Sequence, residues 1–194
     1  MNTLKAETRD MTVKAKKLRR EGFVTGNVFG KEMKETVPIK IVKADAERLI
    51  KTKRKGSQIM LDVEGQQYDV LIKEIQYNAI KGQIDEIDFQ ALVQGEKVHS
   101  VAEVTLINSD KAVGGFLQLN LEEIAYKATP DALVESVEID VAKLRVGDVI
   151  KVKDLPIASD PKVELTTSPD AVVLTLSEVH ANAEESQDDE TAAE

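Results

Sequence analysis

The chain has 194 residues and a net charge of −9, and it contains no cysteine, which excludes disulfides, zinc–cysteine clusters and thiol catalysis. Aromatic residues make up only 4% of the chain and tryptophan is absent, so the core must be built from aliphatic, often β-branched side chains, which favour strands. Because no signal segment or membrane-length apolar run occurs, we expect a cytoplasmic protein.

Alternating apolar and polar residues predict several strands in the first half of the chain. Within residues 58–77, two alternating arms flank a turn near residues 64–66, which indicates a β-hairpin. Residues 83–93 complete this region as a strand, because their apolar side chains cannot share one helical face without burying the acids between them. The other predicted strands cover residues 1–9, 24–30 and 36–43.

Two segments of the first half predict helical structure. Residues 12–22 hold few large apolar side chains and end at Gly22, which predicts a short surface helix or an ordered basic loop. Residues 44–56 predict a helix that is capped at its N-terminus by Asp45 and ends at Gly56.

A change in composition at residues 94–97 predicts a domain boundary, because Gly95 and a charged pair separate two apolar stretches. Beyond it, short segments rich in Val, Ile and Leu predict an all-β domain over residues 95–180. Residues 181–194 hold six acids and almost no large apolar side chain, so we expect a disordered acidic tail. The strand-like segments of the second domain are 98–108, 114–128, 133–141, 148–155 and 171–179.

Positive charge is concentrated at the start of the chain. Residues 1–55 contain 16 lysines and arginines against 7 acids, whereas residues 95–180 contain 8 against 15. This division indicates a first part that meets a polyanion and a second part that does not.

Two groups of cations account for much of this positive charge, the first within residues 9–20 and the second within residues 51–55. For the second group, at the end of the predicted helix, the favourable interaction of cations with the helix dipole is a sufficient explanation. The first group has no such explanation, because five cations within seven positions repel one another and a phosphate backbone would relieve the repulsion. The first group is Arg9, Lys14, Lys16, Lys17, Arg19 and Arg20, and the second is Lys51, Lys53, Arg54 and Lys55.

Few residues could support catalysis, so we expect a protein that is not an enzyme and that uses no cofactor or metal. His99 and His180 have neither a nucleophile motif nor a second ligand at helical spacing, and no phosphate-binding glycine motif occurs. Asp85, Glu86 and Asp88 could suggest a Mg²⁺ site, but a solvated strand edge is the preferred interpretation, because no calcium-loop spacing follows. The positive charge alone does not show whether the polyanion is DNA or RNA. Recognition of a structured RNA by its shape is the mode of binding that requires the fewest special residues.

Five segments carry a resemblance to a known family. They are KKLRREGFVTGNVFG at 16–30, KEIQYN at 73–78, IDEIDF at 84–89, VEIDVAKLRVGDVIKVKDL at 137–155 and SPDAVVLTL at 168–176. With the acidic tail, they make the chain resemble the bacterial large-subunit ribosomal proteins that bind 5S ribosomal RNA, in their two-domain general stress protein (CTC) form. The resemblance implies a mainly β fold: a β-barrel with a few short helices over residues 1–94, followed by a second all-β domain. The barrel would dock into the widened minor groove of 5S rRNA.

The resemblance also implies roles for individual residues. Gln76 and Asp88 would lie at the RNA face, where Asp88 would accept a hydrogen bond from a base amino group or a 2′-hydroxyl. Lys16 and Lys17 belong to the same basic segment and complete the cationic part of the RNA-binding set. Contacts to phosphate and sugar would come from Arg9, Lys14, Arg19 and Arg20.

The chain departs from the family pattern at several of these positions. Phe29 stands where the family usually has a tyrosine, so the ring is kept and the hydroxyl donor is lost. Glu86 stands where the family usually has a histidine, and an acid facing a phosphate groove repels it unless a bridging Mg²⁺ reverses the sign. Tyr77 and Asn78 replace positions that often hold His-Pro.

We therefore expect a structural ribosomal protein of the general stress protein type, with 5S rRNA and neighbouring large-subunit components as partners and with no membrane or small-molecule ligand. The alternative is a divergent stress-response paralogue that binds RNA weakly and acts through protein contacts of its acidic C-terminal domain. The effect of Glu86 on RNA binding separates the two hypotheses.

Overall fold

A computed structural model describes residues 3–109 and 115–178 of the chain. His180 and the predicted acidic tail at 181–194 lie outside the described residues. Within the part that is described, none of the helices is long and apolar enough to cross a membrane.

Six strands of the first half form a closed barrel. They are β1 (Thr3–Thr8), β2 (Phe23–Phe29), β3 (Val37–Val42), β4 (Gln58–Val63), β5 (Gln66–Asn78) and β6 (Gln83–Ala91). Their order around the barrel is β1-β3-β2-β6-β5-β4, and β1 pairs with β4 to close it. The β1–β4 and β2–β6 pairs are parallel and the others are antiparallel. Closure leaves no strand edge exposed along the barrel wall.

The barrel encloses an aliphatic core of the kind that the sequence alternation predicts. Alternate residues of β4 point inward, and Ile87 and Phe89 of β6 are fully buried. The predicted hairpin is formed by β4 and β5. Its two-residue turn places both Glu64 (φ 52°) and Gly65 (φ 94°) in the left-handed region, which is typical of a type I′ turn.

Two α-helices accompany the barrel, α1 (Ala15–Arg20) and α2 (Lys43–Thr52). The helical alternative for the basic segment is therefore confirmed, and Gly22 adopts a φ of 88° just beyond the end of α1. The predicted cap of α2 is wrong, because this helix begins directly after β3. Asp45 lies in its first turn, where a negative charge interacts favourably with the helix dipole, and Val42 occupies the capping position.

In the part of the second half that the structure describes, seven further strands form two sheets, which confirms a second all-β region. They are β7 (Val98–Ile107), β8 (Gly115–Leu119), β9 (Glu123–Ala128), β10 (Ser136–Asp140), β11 (Val149–Lys151), β12 (Val163–Leu165) and β13 (Val172–Glu178). The sheet orders are β10-β7-β9-β12 and β11-β13-β8. The segment predicted over 114–128 contains both β8 of one sheet and β9 of the other. The short strand β12 was not predicted, because three residues carry too little alternation.

The two sheets share a second aliphatic core, separate from that of the barrel. Tyr126 of β9 is fully buried in it. Its hydroxyl donates to the Val134 carbonyl at 2.9 Å and accepts from the Val134 N–H at 2.8 Å. The ring therefore fills space while its polar end is satisfied, as a buried tyrosine requires.

Candidate nucleic-acid interface

Helix α1 presents most of the predicted cations to solvent. The helix lies against β2, and its one large apolar side chain, Leu18, is buried. No acid lies in its first turn. Among the described residues, the only ion pair of its exposed cations joins Lys17 to Glu21, with 3.8 Å between Nζ and Oε1. The exposed cations of this segment are Lys14, Lys16, Lys17 and Arg20.

Arg19 extends from α1 toward the start of β6. Its Nε donates to the Asp85 carbonyl at 3.1 Å and lies 3.6 Å from Oδ1 of the same residue. The Asp85 carboxylate also accepts hydrogen bonds from Asn78 Nδ2 at 3.2 Å and from Gln83 Nε2 at 2.9 Å. These two bonds are the main reason why the pKa of Asp85 lies below its ordinary value, and the charge of Arg19 adds to them. Asp85 thus links α1 to the β5–β6 connection.

Arg9, just beyond β1, has one unsatisfied donor. Its backbone N–H donates to the Pro38 carbonyl at 2.9 Å, and one terminal guanidinium nitrogen donates to the Val13 carbonyl at 3.3 Å. Its Nε is buried and finds no acceptor among the described residues. A buried N–H without a partner costs about 1–3 kcal/mol, so the position of this side chain carries an energetic cost.

Asn27 of β2 joins the two acids of β6. Its Nδ2 donates to Asp88 Oδ1 at 3.0 Å and to Glu86 Oε1 at 3.2 Å, and its backbone N–H donates to Asp88 Oδ1 at 3.1 Å. The parallel register sets Asn27 opposite Asp88, so the three side chains share the outer face of the barrel. The expected strand edge is wrong for these acids, because β6 lies between β2 and β5 in the barrel wall. No metal-binding cluster of three acid, histidine or cysteine side chains occurs within 3–109 and 115–178.

Glu86 lies half-buried among charges of both signs. Burial, and then the nearby Asp88 carboxylate, raise the pKa of Glu86 above its ordinary value, whereas Arg19, Arg9 and the hydrogen bond from Asn27 oppose this shift. Ionisation of Glu86 is therefore less favourable in the folded protein than in the unfolded chain. Its negative charge also acts on Arg9 and Arg19, to which the family resemblance gives phosphate contacts.

The remaining two predicted residues lie on the same outer surface. Gln76 of β5 is exposed and lies opposite Glu86 in the ladder, and Phe29 of β2 is half-buried, two residues beyond Asn27. We call the surface formed by α1, by Arg9 and Lys14 before it, and by the outer sides of β2, β6 and β5 the α1–β6 face. It comprises Arg9, Lys14, Lys16, Lys17, Arg19, Arg20, Asn27, Phe29, Gln76, Glu86 and Asp88.

Most of the second group of cations is neutralised by acids from the second half of the chain. The helix-dipole interpretation applies to Lys51 alone, because the other three members lie beyond the end of α2. Each of these three pairs with a glutamate from residues 103–135, so they are not free to meet phosphates. The pairs are Lys53 with Glu135 (2.6 Å), Lys55 with Glu123 (2.7 Å), and Arg54 with Glu103.

Two residues that organise this surface, Asn27 and Asp85, are not among those predicted to bind RNA. Alternation along β6 indicates that Glu86 and Asp88 share a face, but it does not reveal that Asn27, on a strand about sixty positions earlier, lies against both. Asp85 belongs to the recognised acidic cluster, yet its hydrogen bonds depend on the β5–β6 connection and on the position of α1.

Comparisons with known proteins match both halves of the chain. The model of the Ribosomal L25p family matches residues 4–89, and that of the ribosomal protein TL5 C-terminal domain matches residues 97–180. The large ribosomal subunit protein bL25 of Carboxydothermus hydrogenoformans is 32% identical over 180 residues, covering 91% of this chain and 88% of that protein. The bL25 protein of Enterococcus faecalis is 32% identical over 179 residues, covering 91% and 86%. That of Bacillus velezensis is 28% identical over 180 residues, covering 91% and 88%.

Proposed function

Because the chain belongs to the ribosomal L25p family, we propose that it binds 5S ribosomal RNA through the α1–β6 face. It is a structural, non-enzymatic protein of the large ribosomal subunit, in a two-domain form, and a cytoplasmic component of the ribosome. The RNA ligand and the residues that contact it are the content of the proposal.

The observation that carries the proposal is the set of exposed cations on α1. They stand in a chain of net charge −9, and three of the four cations in the other basic group are paired with glutamates. A short helix with cations on its open side suits the wide, shallow minor groove of an RNA helix, where phosphates and 2′-hydroxyls are accessible.

We expect the full-length protein to bind 5S rRNA more tightly than an unrelated RNA duplex of equal length. If four to six cations meet phosphates, the logarithm of the association constant should fall with the logarithm of salt concentration with a slope of about −3 to −5. Fluorescence anisotropy across a salt series measures both quantities. Weak binding that is equal for the two RNAs would contradict the proposal and favour the alternative, in which the acidic second region acts through protein contacts.

Removing the charge of Glu86 should strengthen RNA binding. In Glu86→Gln the side chain keeps an oxygen that can accept from Asn27, so the variant loses repulsion toward phosphate without losing that bond. We expect about 5- to 10-fold tighter binding at neutral pH, on the order of 1 kcal/mol of relieved repulsion. Glu86→His should also strengthen binding. Unchanged affinity in both variants would contradict the assignment of Glu86 to the RNA-facing surface.

Because of the raised pKa of Glu86, we expect both the stability of the protein and its affinity for RNA to depend on pH. Because the folded protein raises the pKa of Glu86, the contribution of this group to stability is complete below its unfolded-state pKa and is lost as pH rises through the folded-state pKa. Wild-type affinity for RNA should rise as pH falls through the same range, since protonation removes the charge, and Glu86→Gln should lack this part of the rise. The matched control is Glu138→Gln, which removes one exposed charge from β10 and should leave the pH profile of binding unchanged.

We also propose that the protein is of the general stress protein type, which the two-domain organisation supports. Protein abundance measured before and after heat or osmotic shock tests this point independently of RNA binding. A constant ratio to other large-subunit proteins would contradict it.

A further inference from the structure

Three glutamates of the second region lie close together on neighbouring strands. Glu103 of β7 is directly opposite Glu123 of β9 in the antiparallel ladder. Glu135 immediately precedes β10, and its carbonyl accepts from the Glu103 N–H at 3.2 Å. We call these three residues the glutamate trio. Like charges at opposed positions of a sheet repel one another, so the trio destabilises the sheet unless cations from elsewhere compensate it.

The barrel supplies one cation for each member of the trio. Lys53, Arg54 and Lys55 are consecutive residues between α2 and β4, and each pairs with a different glutamate. Lys73 of β5 lies near them, because burial and then the charge of Lys55 lower the pKa of Lys73. Four cations therefore meet at this end of the barrel, and carboxylates of the second region neutralise three of them.

The segment that carries these cations is packed against the backbone of β7. A Cβ atom placed on Gly56 would come within 2.1 Å of the Val101 carbonyl oxygen, and Lys73 Nζ donates to the His99 carbonyl at 2.8 Å. Strand β10 pairs with β7 only from Glu103 onward. The barrel therefore contacts the part of β7 that β10 does not cover, and this contact holds the trio beside the cations.

The three ion pairs act on charge more than on stability. All six side chains are partly exposed, and ion pairs of this kind contribute little to the free energy of unfolding. Without the carboxylates, residues 53–55 would present three consecutive cations to solvent, next to the exposed Lys51. Such a patch would attract any polyanion and would compete with the α1–β6 face.

We propose that the glutamate trio is a specificity element, whose carboxylates take the place of phosphates on the cations at 53–55 and so prevent nonspecific RNA binding at this end of the barrel. The inference rests on the proposed function, since it leaves the α1–β6 face as the surface that RNA meets. Binding through charge alone does not distinguish one RNA from another. Removal of a competing cationic patch therefore raises selectivity, which is a difference between two affinities.

The test neutralises the whole trio in the full-length protein, with Glu103→Gln, Glu123→Gln and Glu135→Gln combined. For an unrelated RNA duplex we expect about 10-fold tighter binding at low salt and a logarithmic salt slope that is steeper by about 2 to 3, because three cations become free to meet phosphates. Affinity for 5S rRNA should rise less, so selectivity should fall. Fluorescence anisotropy measures both affinities, and circular dichroism checks that the variant is folded.

The matched control removes the same amount of negative charge elsewhere on the second region. It combines Glu122→Gln, Asp131→Asn and Glu138→Gln, at three exposed acids that make no ion pair among the described residues. Because these charges lie away from the cations at 53–55 and are screened by salt, duplex affinity should change by less than about 2-fold. Equal gains in the two triple variants would overturn the inference, since the effect would then be one of total charge.

A reversal experiment identifies the cations that the trio covers. Adding Lys53→Ala, Arg54→Ala and Lys55→Ala to the trio variant should return the salt slope for the duplex to its wild-type value. A slope that stays steep would overturn the inference, because the extra binding would then come from other cations. Glu135→Gln alone is a milder variant, since Glu135 lies in no strand, and it should steepen the slope by about 0.9.

The measurements separate this inference from the proposed function. If the wild type selects 5S rRNA and the trio variant gains no affinity for the duplex, the inference is overturned and the proposed function stands. If the wild type binds both RNAs equally, the proposed function fails, and the role of the trio in selectivity fails with it.

Discussion

Gly26→Ala should disrupt the barrel and abolish the α1–β6 face with it. Gly26 lies opposite Ile87 in the parallel β2–β6 ladder, and a Cβ atom placed on it would come within 2.0 Å of the Ile87 carbonyl oxygen and 3.2 Å of its carbonyl carbon. Because the neighbour is backbone of a central strand, no rotamer change relieves the clash, and the two strands must separate. Overpacking of this kind costs about 1–3 kcal/mol or more, and we expect the upper end here.

Separation of β2 from β6 would also break the contact between Asn27 and the two acids next to it, so RNA affinity should fall together with stability. Denaturant unfolding, followed by circular dichroism, measures the free energy of unfolding, and anisotropy with 5S rRNA measures the affinity. The control is Gly65→Ala, where a Cβ atom meets open space and only the positive φ of 94° is strained, at about 1 kcal/mol. A Gly26→Ala protein as stable as the Gly65→Ala protein would contradict this account of β2.

Alternation of apolar residues was sufficient to predict most strands of the first half, because burial of one face is a local property of the sequence. Start and stop signals predicted α2, and they left the α1 segment open between a short helix and a basic loop. The exact start of α2 is less local. Asp45 has the side chain of a good cap, but β3 continues without a loop into the helix at Lys43, so the chain is already helical when it reaches Asp45. Tertiary pairing of β3 in the barrel overrides the capping preference.

The arrangement of the site was less predictable than the strands, because it depends on strand register and on the second half of the chain. Asn27 meets Glu86 only through the parallel β2–β6 pairing, which no local pattern encodes. The cations that follow α2 have the composition of a nucleic-acid patch, yet acids from β7, β9 and the residues before β10 neutralise them. Each of these cations lies 49 to 82 positions from its glutamate in the sequence, so a count of charges along the chain does not distinguish them from the cations of α1.

The combined variant Arg19→Ala with Arg20→Ala should weaken binding to 5S rRNA and flatten its salt dependence. Arg20 is exposed and makes no ion pair among the described residues, whereas Arg19 is half-buried against Asp85. If both reach phosphates, the slope of the logarithmic salt plot should decrease in magnitude by about 1.5, and affinity at low salt should fall by about 10- to 100-fold. Arg20→Ala alone should give about half of the slope change, because it leaves the contact with Asp85 intact.

The control must remove the same charge from the other basic group, and Lys51→Ala with Lys53→Ala does so. Lys53 is engaged by Glu135, so we expect RNA affinity and salt slope to change little, even if the contact between the two halves of the chain is loosened. A double variant at Arg19 and Arg20 that folds like wild type but keeps the wild-type slope would exclude α1 as the phosphate-binding element. The reverse ranking, with the larger loss in the Lys51 and Lys53 variant, would mean that RNA displaces the glutamates and binds beyond the end of α2. The two salt plots therefore decide which of the two basic groups meets the polyanion.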